Sequence, residues 1–570
     1  MRSTLFLLGF GVCTAVLTAQ ARAPQQAAAQ AADLVLTNGR IVTVDDAMPQ
    51  VQALAARAGR IVALGTSDDV KRYIGPSTEV LDLGDKLAIP GFIESHGHFT
   101  GVGEMKMELD LTKARSWDDI VAMVGDAAKK AAPGEWIRGR GWHQEKWTSR
   151  PDPNVEGFPT HASLDKVSPN NPVVLTHASG HASFINAKAL ELSGITATTK
   201  SPAGGDILHD SSGDAIGLLR ETAQGLVRQP RLNDAERAAH LRKTLELANQ
   251  EVLSKGVTTF EDAGSSLDVI DGIKKAIDDG ALGVRMWVMI RQPNAAFASK
   301  LKQYRTIDYA DGRLTVRAIK KVMDGALGPR TAWMLEPYAD KADATGLNTT
   351  PLSEIEEAAG LAMANGYQLC VHAIGDRANR ETLDIFERAF KANPDKKDLR
   401  WRVEHAQHLS AADIARFGKL GVIAAMQGIH CTSDAPYVLQ RLGPKRAEEG
   451  AYVWQKLMKS GAIIANGTDA PVEDVDPIAS FYASVSRRLK DGSVFYPDQR
   501  MSRIEALKSY TINGALAAFE DGNRGSLKAG KYADITVLSK DIMSVPEAEI
   551  PSAKVICTIV GGKVVYKSPI

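Results

Sequence analysis

Between about residue 87 and residue 466 the chain alternates short apolar runs with longer amphipathic stretches, a pattern that predicts parallel α/β architecture. Eight runs have strand character: Leu87–Ser95, Val257–Glu261, Val284–Ile290, Val316–Val322, Tyr367–His372, Trp401–His405, Val422–Gln427 and Ala462–Asn466. Helical periodicity fills most of the gaps, as in Leu352–Asn365 and Asp376–Ala392. Eight strands close a (β/α)8 TIM barrel, although an open three-layer sheet uses the same alternation. On the barrel reading the body spans residues 89–519. The stretch from about 116 to 244 falls between the first and second runs, is too long for a loop, and predicts an inserted subdomain.

The two ends read as β-rich. Leu34–Leu36 into Ile41–Val44, Gln52–Ala58 into Ile61–Leu64, and Glu79–Leu83 are separated by turns such as Asn38-Gly39 and Gly59-Arg60. Asp534–Leu538, Lys554–Val560 and Lys563–Tyr566 repeat the style around Gly561-Gly562. Together 32–88 and 520–570 predict one small composite β-sandwich, which brings the termini together. Ahead of it, Arg2, the apolar Leu5–Leu17 and Ala19-Gln20-Ala21 read as a signal peptide over 1–21, followed by an Ala/Gln-rich linker over 22–31. The apolar run is short for a membrane span. The expectation is therefore an exported protein, periplasmic or secreted, with no membrane association after signal cleavage.

Composition narrows the classes. Lys+Arg and Asp+Glu balance at 68 each, which argues against nucleic-acid binding or membrane attachment by bulk charge. Cys13 lacks a lipid-attachment context, and beyond the leader only Cys370, Cys431 and Cys557 remain. That odd, sparse set predicts small buried hydrophobes rather than a disulfide framework. Oligomeric state is not readable; a homodimer is the prior, two-fold pairing being the commonest closed symmetry.

Ligand-type residues recur at the ends of the predicted strands. His96 and His98 follow the first, two apart and so on one side of an extended chain. His372 ends the fifth, His405 the sixth, and Asp469 follows the eighth. Each alone is weak: a His-x-His pair is more often core or surface, and a lone Asp after a strand is more often a turn residue. Convergence at the C-terminal end of one barrel, where catalytic groups of that fold lie, changes the weighting. Four imidazoles and a carboxylate suit Zn²⁺ or a similar divalent metal better than Ca²⁺ or Mg²⁺.

Pro90-Gly91-Phe92-Ile93-Glu94-Ser95-His96-Gly97-His98 resembles the opening motif of the amidohydrolase superfamily, with Glu94 where that family usually has Asp. Asp324-Gly325-Ala326-Leu327-Gly328, Val371-His372-Ala373-Ile374-Gly375-Asp376, Val403-Glu404-His405-Ala406-Gln407 and Gly467-Thr468-Asp469-Ala470-Pro471 resemble its YtcJ-like branch, which includes N-substituted formamide deformylases. The resemblance runs from about Ala32 to the C-terminus. It implies a distorted barrel with a composite sandwich. It also adds Lys320, four positions before Asp324, as an N6-carboxylysine bridging two metal ions. Lys321 lies beside it, and strand alternation lets one of the two face the interior; Lys320 unmodified, or serving one metal only, is the plainer reading.

On this reading His96, His98 and Lys320 hold one ion, and Lys320, His372 and His405 the other. With a single ion, His372 or His405 would instead polarise the substrate carbonyl. A bound metal lowers the pKa of water toward neutrality, and Asp469 would carry a proton from that water to the leaving amine. The substrate is expected to be a small molecule with an amide, formamide or N-acyl C–N bond, an expectation that rests on the branch. Ester or lactone hydrolysis or decarboxylation at the same centre, and an inactive binding or regulatory protein on the same fold, are the rivals; retention of every ligand-type residue argues against the last. Within the insertion, Trp142, His143 and His181 are candidate substrate contacts, Trp142 being equally a core aromatic. Asp324 and Arg330 can position substrate or form a structural ion pair.

Overall fold

The computed structural model describes residues 31–569. The expected leader over 1–21 and the linker up to residue 30 lie outside the described residues. Eight parallel strands form the body: β1 (Phe92–Gly97), β2 (Val257–Ser265), β3 (Arg285–Ile290), β4 (Leu314–Val322), β5 (Gln368–Ala373), β6 (Arg402–His405), β7 (Ile423–Gln427) and β8 (Ile464–Gly467). Each pairs with the next in chain order. This is the α/β barrel that the alternation predicts, with helices such as Leu352–Asn365 and Asp376–Ala392 on its outside.

Between β1 and β8 the ladder gives way to a different closure. The Asp469 amide donates to the His96 carbonyl at 2.8 Å and the His98 amide to the Ala470 carbonyl at 2.6 Å. The Glu94 carboxylate accepts the Thr468 amide at 2.6 Å and the Thr468 hydroxyl at 3.0 Å. Burial pushes the Glu94 carboxyl up to about 8, against the pull of the Thr468 bonds. The seam is thus tied where the candidate ligands leave their strands.

The first predicted strand divides. Leu87–Pro90 joins a terminal sheet, antiparallel to Ile535–Leu538, and only β1 enters the barrel. Gly91 is the joint: a side chain there would collide with Thr258 of β2, and its amide bonds to the Asp534 carbonyl at 2.9 Å. The terminal sheets are a six-stranded one holding Leu87–Pro90 and the C-terminal strands, and a four-stranded one from the N-terminal region. Leu36, Ile41, Leu54, Ile535 and Ile559 share one apolar core that they bury. Arg285 of β3 binds Asp534 with two hydrogen bonds, at 2.8 and 3.1 Å, fastening sandwich to barrel.

The insertion is a six-stranded mixed sheet running from Leu109–Asp110 to Ala215–Glu221, with its own core around Trp117, Trp142, Phe158 and Phe184. Helix α1 (Phe99–Met105) precedes it, and helix α2 (Asp234–Ser254) returns from it, capped by Asn233 and Glu236. Since α2 packs on α1 and leads into β2, residues 234–244 stand in a barrel helix rather than in the insertion. Cys370, Cys431 and Cys557 are buried and free. No helix among the described residues is long and apolar enough to cross a membrane.

Gly467 carries the seam. A Cβ on it would lie 2.5 Å from a Glu94 carboxylate oxygen and 2.7 Å from the His96 amide nitrogen. Gly467→Ala is therefore expected to cost about 1–3 kcal/mol of stability by overpacking, read as a lowered midpoint in denaturant unfolding. An unchanged midpoint would show that the seam opens freely.

Candidate metal centre

The ends of β1, β6 and β8 bring four donors together. His96 is fully buried, and its Nδ1 contacts the Glu404 carboxylate, which fixes the proton on Nδ1 and turns Nε2 inward. Nε2 has no hydrogen-bond partner and lies 3.5 Å from Asp469 Oδ1, itself buried and unpartnered. His98 Nε2 is 3.3 Å from the same oxygen. His405 donates from Nδ1 to Gln427 Oε1 at 2.8 Å, and its ring centroid is 4.6 Å from that of His96. Ligand atoms of His96, His98 and Asp469 lie within 4.8 Å of one another, as do those of His405, His430 and Asp469.

Buried polar atoms without partners are costly. A lone-pair nitrogen facing a bare carboxylate oxygen is what a divalent cation would satisfy, so the donor set fits such an ion. Burial pushes His96 down to about 4, leaving the ring neutral as a ligand must be. Asp469 is held well below the carboxylate range: burial opposes its charge, but His98, His96 and His405 outweigh burial.

His372 and Lys320 complete the ring. The His372 centroid is 4.4 Å from His405, and its Nε2 is 3.2 Å from the Gly325 carbonyl oxygen. Lys320 and Lys321 take opposite faces of β4. Lys321 donates to Glu354 at 2.8 Å, whereas Lys320 points into the barrel, 3.3 Å from the Ala263 carbonyl, and lines one cavity with His98, His372, His405 and Asp469. Burial lowers Lys320 to about 8. The cavity encloses about 590 Å³.

Other expected contacts are distributed unevenly. His181 lines the cavity, 4.9 Å from His372 between ring centroids, and donates to Glu221 at 2.8 Å. Burial works against its charge, yet Glu221 lifts it above the ordinary histidine value. His143 lines a small adjoining recess with His430 and Tyr437. Trp142, Asp324 and Arg330 do not line the cavity, and their polar groups engage protein partners, although Asp324 Oδ1 also lies 3.5 Å from His372 Nε2 behind the cavity wall. The Trp142 indole donates to the Leu175 carbonyl at 2.8 Å inside the insertion core. Asp324 accepts the backbone amides of Trp333, Ile374 and Gly375 at 2.8, 3.0 and 2.8 Å, shaping the turns after β4 and β5. Arg330 grips Asp340 with two bonds, at 3.3 and 2.8 Å.

Residues 79–566 match the sequence model of the Amidohydrolase family. The chain belongs to the amidohydrolase family. Among its relatives, Protein LONG AFTER FAR-RED 3 of Arabidopsis thaliana is 34% identical, covering 94% of this chain and 92% of its own. The N-substituted formamide deformylase of Arthrobacter pascens is 28% identical over 94% of this chain and 99% of its own. An uncharacterised metal-dependent hydrolase from Pyrococcus horikoshii shares the fold at a TM-score of 0.71, with 25% identity over 90% of this chain and 99% of that one.

This amidohydrolase also has a support layer that motif reading passed over. Arg402 binds Glu404 at 2.7 and 3.0 Å and contacts Glu261 of β2 and the Ser95 carbonyl of β1, all fully buried. Burial opposes ionisation of Glu404, but Arg402 and His96 hold it far below the usual range. The signal was present in β6, where Arg402 and Glu404 stand two apart on one strand face. His405 leaves that alternation: φ is 76° at His405 and 43° at Ala406, and this left-handed backbone swings the imidazole toward the site; Asp469, at 59°, does likewise. His430, on the helix after β7, carried no positional signal. Its Nε2 is buried and unpartnered near His405 and Asp469.

Glu404→Gln keeps the shape but removes the charge behind His96. Metal affinity is expected to fall roughly 10–100-fold, measured by competition with a chelator, with far-ultraviolet dichroism unchanged; wild-type affinity would remove Glu404 from that role.

Proposed function

We propose that this amidohydrolase uses a divalent metal centre to hydrolyse a C–N bond of a small amide, formamide or N-acyl compound. The observation that carries the reading is the pair of buried, unpartnered atoms facing each other, His96 Nε2 and Asp469 Oδ1, with His98 and His405 around them. His96 and His98 would hold one ion and His372 and His405 a second, with Zn²⁺ the natural choice for imidazole-rich donors. When bound, the metal supplies a lowered water pKa and a polarised carbonyl.

The protein's own groups supply the proton traffic. Asp469 is ionised and so accepts a proton from the attacking water, then returns it to the departing amine nitrogen. Lys320, lowered to about 8, presents an appreciable fraction of free amine at neutral pH. That amine can add CO₂, releasing one proton and leaving a carbamate as an anionic ligand. His181, with Glu221 behind it, faces the same cavity and would hold substrate against the centre. The relative that is an N-substituted formamide deformylase supports the C–N choice. The signal-like start, from Arg2 through Ala21, supports export.

The test is a screen of N-formyl compounds, N-acyl compounds and esters, with metal content measured on the same sample. Amide-type turnover that tracks occupancy and stops with chelator is expected; metal-free protein with chelator-insensitive activity would overturn the reading. Asp469→Asn should lower kcat by roughly 10²–10⁴-fold with metal largely retained, and near-normal turnover would exclude the proton role. Lys320→Ala should lose metal and regain part of it with added short carboxylic acids. Full occupancy in that variant would argue against a carbamate.

A further inference from the structure

The cavity beside the metal donors has two cationic arms on different walls. Arg291 follows directly on β3, and its stem lies over Gly264, where a Cβ would come within 2.6 Å of Arg291 Cβ and 2.8 Å of its Cδ. Arg140 comes from the insertion strand Ile137–Trp142. One of its terminal nitrogens donates to the Ala178 carbonyl at 3.3 Å, while its Nε is buried with no partner. Both line the 590 Å³ cavity that holds His372, His405 and Asp469.

Neither guanidinium, Arg140 half-buried and Arg291 exposed, has an ion-pair partner among the described residues. The buried Arg487 also lacks one and donates instead to the Phe495 and Tyr452 carbonyls, but several other buried arginines are paired. Arg285 sits against Asp534, Arg402 against Glu404, and Arg441 against Asp340 and Glu145. Nor are the nearby carboxylates available. Glu221 is taken by His181, Glu354 by Lys321, and Asp262 by the Phe99 amide and the Ser265 hydroxyl. Asp469 belongs to the metal donors, and Glu104 and Glu108 act on Arg140 only from beyond ion-pair distance. Two planar, permanently charged groups left over in a pocket of small-molecule size match a planar anion that accepts two hydrogen bonds.

We propose that the cavity selects substrates bearing a carboxylate, held between Arg140 of the insertion and Arg291 of the barrel while the scissile carbonyl faces Asp469. The inference rests on the hydrolytic reading above and names its substrate class: N-formyl or N-acyl amino acids and related acyl-amino acids, rather than neutral amides.

Binding tests this apart from turnover. Levulinate is the isostere of N-acetylglycine with CH₂ in place of the amide N–H, so it cannot be cleaved at that bond. Levulinate and its longer homologues, and the matching neutral methyl ketones that end in a hydroxyl, are titrated calorimetrically into zinc-loaded protein, wild type and the variants Arg140→Gln and Arg291→Gln. At least one acid is expected to bind roughly tenfold or more tightly than its neutral counterpart, as for hydrogen bonds to a charged group. That preference should shrink in each variant whose metal content and dichroism match wild type. Equal binding of acid and neutral ketone by wild type, or no binding of either, overturns the proposal. So does a preference retained in both variants, which would place the carboxylate on the metal. Should the protein hydrolyse no C–N bond at all, the acid preference is still read in this titration, so the two proposals fail separately.

Discussion

Arg402 is the charge on which the site depends. It lies fully buried on β6, between Glu404 of its own strand and Glu261 of β2, and reaches the Ser95 carbonyl of β1. Burial pushes Glu261 up to about 8 even with Arg402 beside it, whereas Arg402 and His96 together keep Glu404 ionised. Such a network adds little net stability against an apolar replacement, and breaking it by removing one partner is expensive. What it provides is orientation. With Arg402 holding Glu404, His96 keeps its proton on Nδ1, and the lone pair on Nε2 meets Asp469 across the seam.

The convergence of the candidate donors was legible because a barrel places strand ends at one rim, and His96, His98, His372, His405 and Asp469 all lie at or just after the ends of predicted strands. Alternation also separated Lys320 from Lys321 correctly in kind, since the two turn to opposite faces of β4. Less legible was anything that depends on backbone departing from regularity. Strict alternation would send His405 away from the face of Arg402 and Glu404, and only its φ of 76° brings it back. The single run Leu87–Ser95 reads as one strand; that it serves two sheets depends on the contact of Gly91 with Thr258, far away in sequence.

The lining of the cavity was the least readable, for a related reason. Trp142, Asp324 and Arg330 have the chemistry of binding residues, and each spends it on a partner in the protein: a carbonyl, three amides and a carboxylate. Arg140 and Arg291 carry no motif and are set apart by having no carboxylate within ion-pair distance, Arg140 holding only the Ala178 carbonyl. In a long chain with many buried ionic groups, which cation is left over follows from the pairing of all the others.

The terminal sandwich has a consequence in time rather than in space. Residues 87–90 lead directly into β1, yet they pair with 535–538, close to the other end of the polypeptide. A chain emerging from the ribosome therefore has Arg40–Val42 on one side of this strand, but lacks the neighbour on the other side until almost all of it has been made. Loop-closure entropy and large sequence separation make that a late pairing. The last fifty or so residues consequently act less as an appended domain than as the final strands of the first one. Shortening the C-terminus would leave Leu87–Pro90 as an open apolar edge, the kind of surface that recruits other chains.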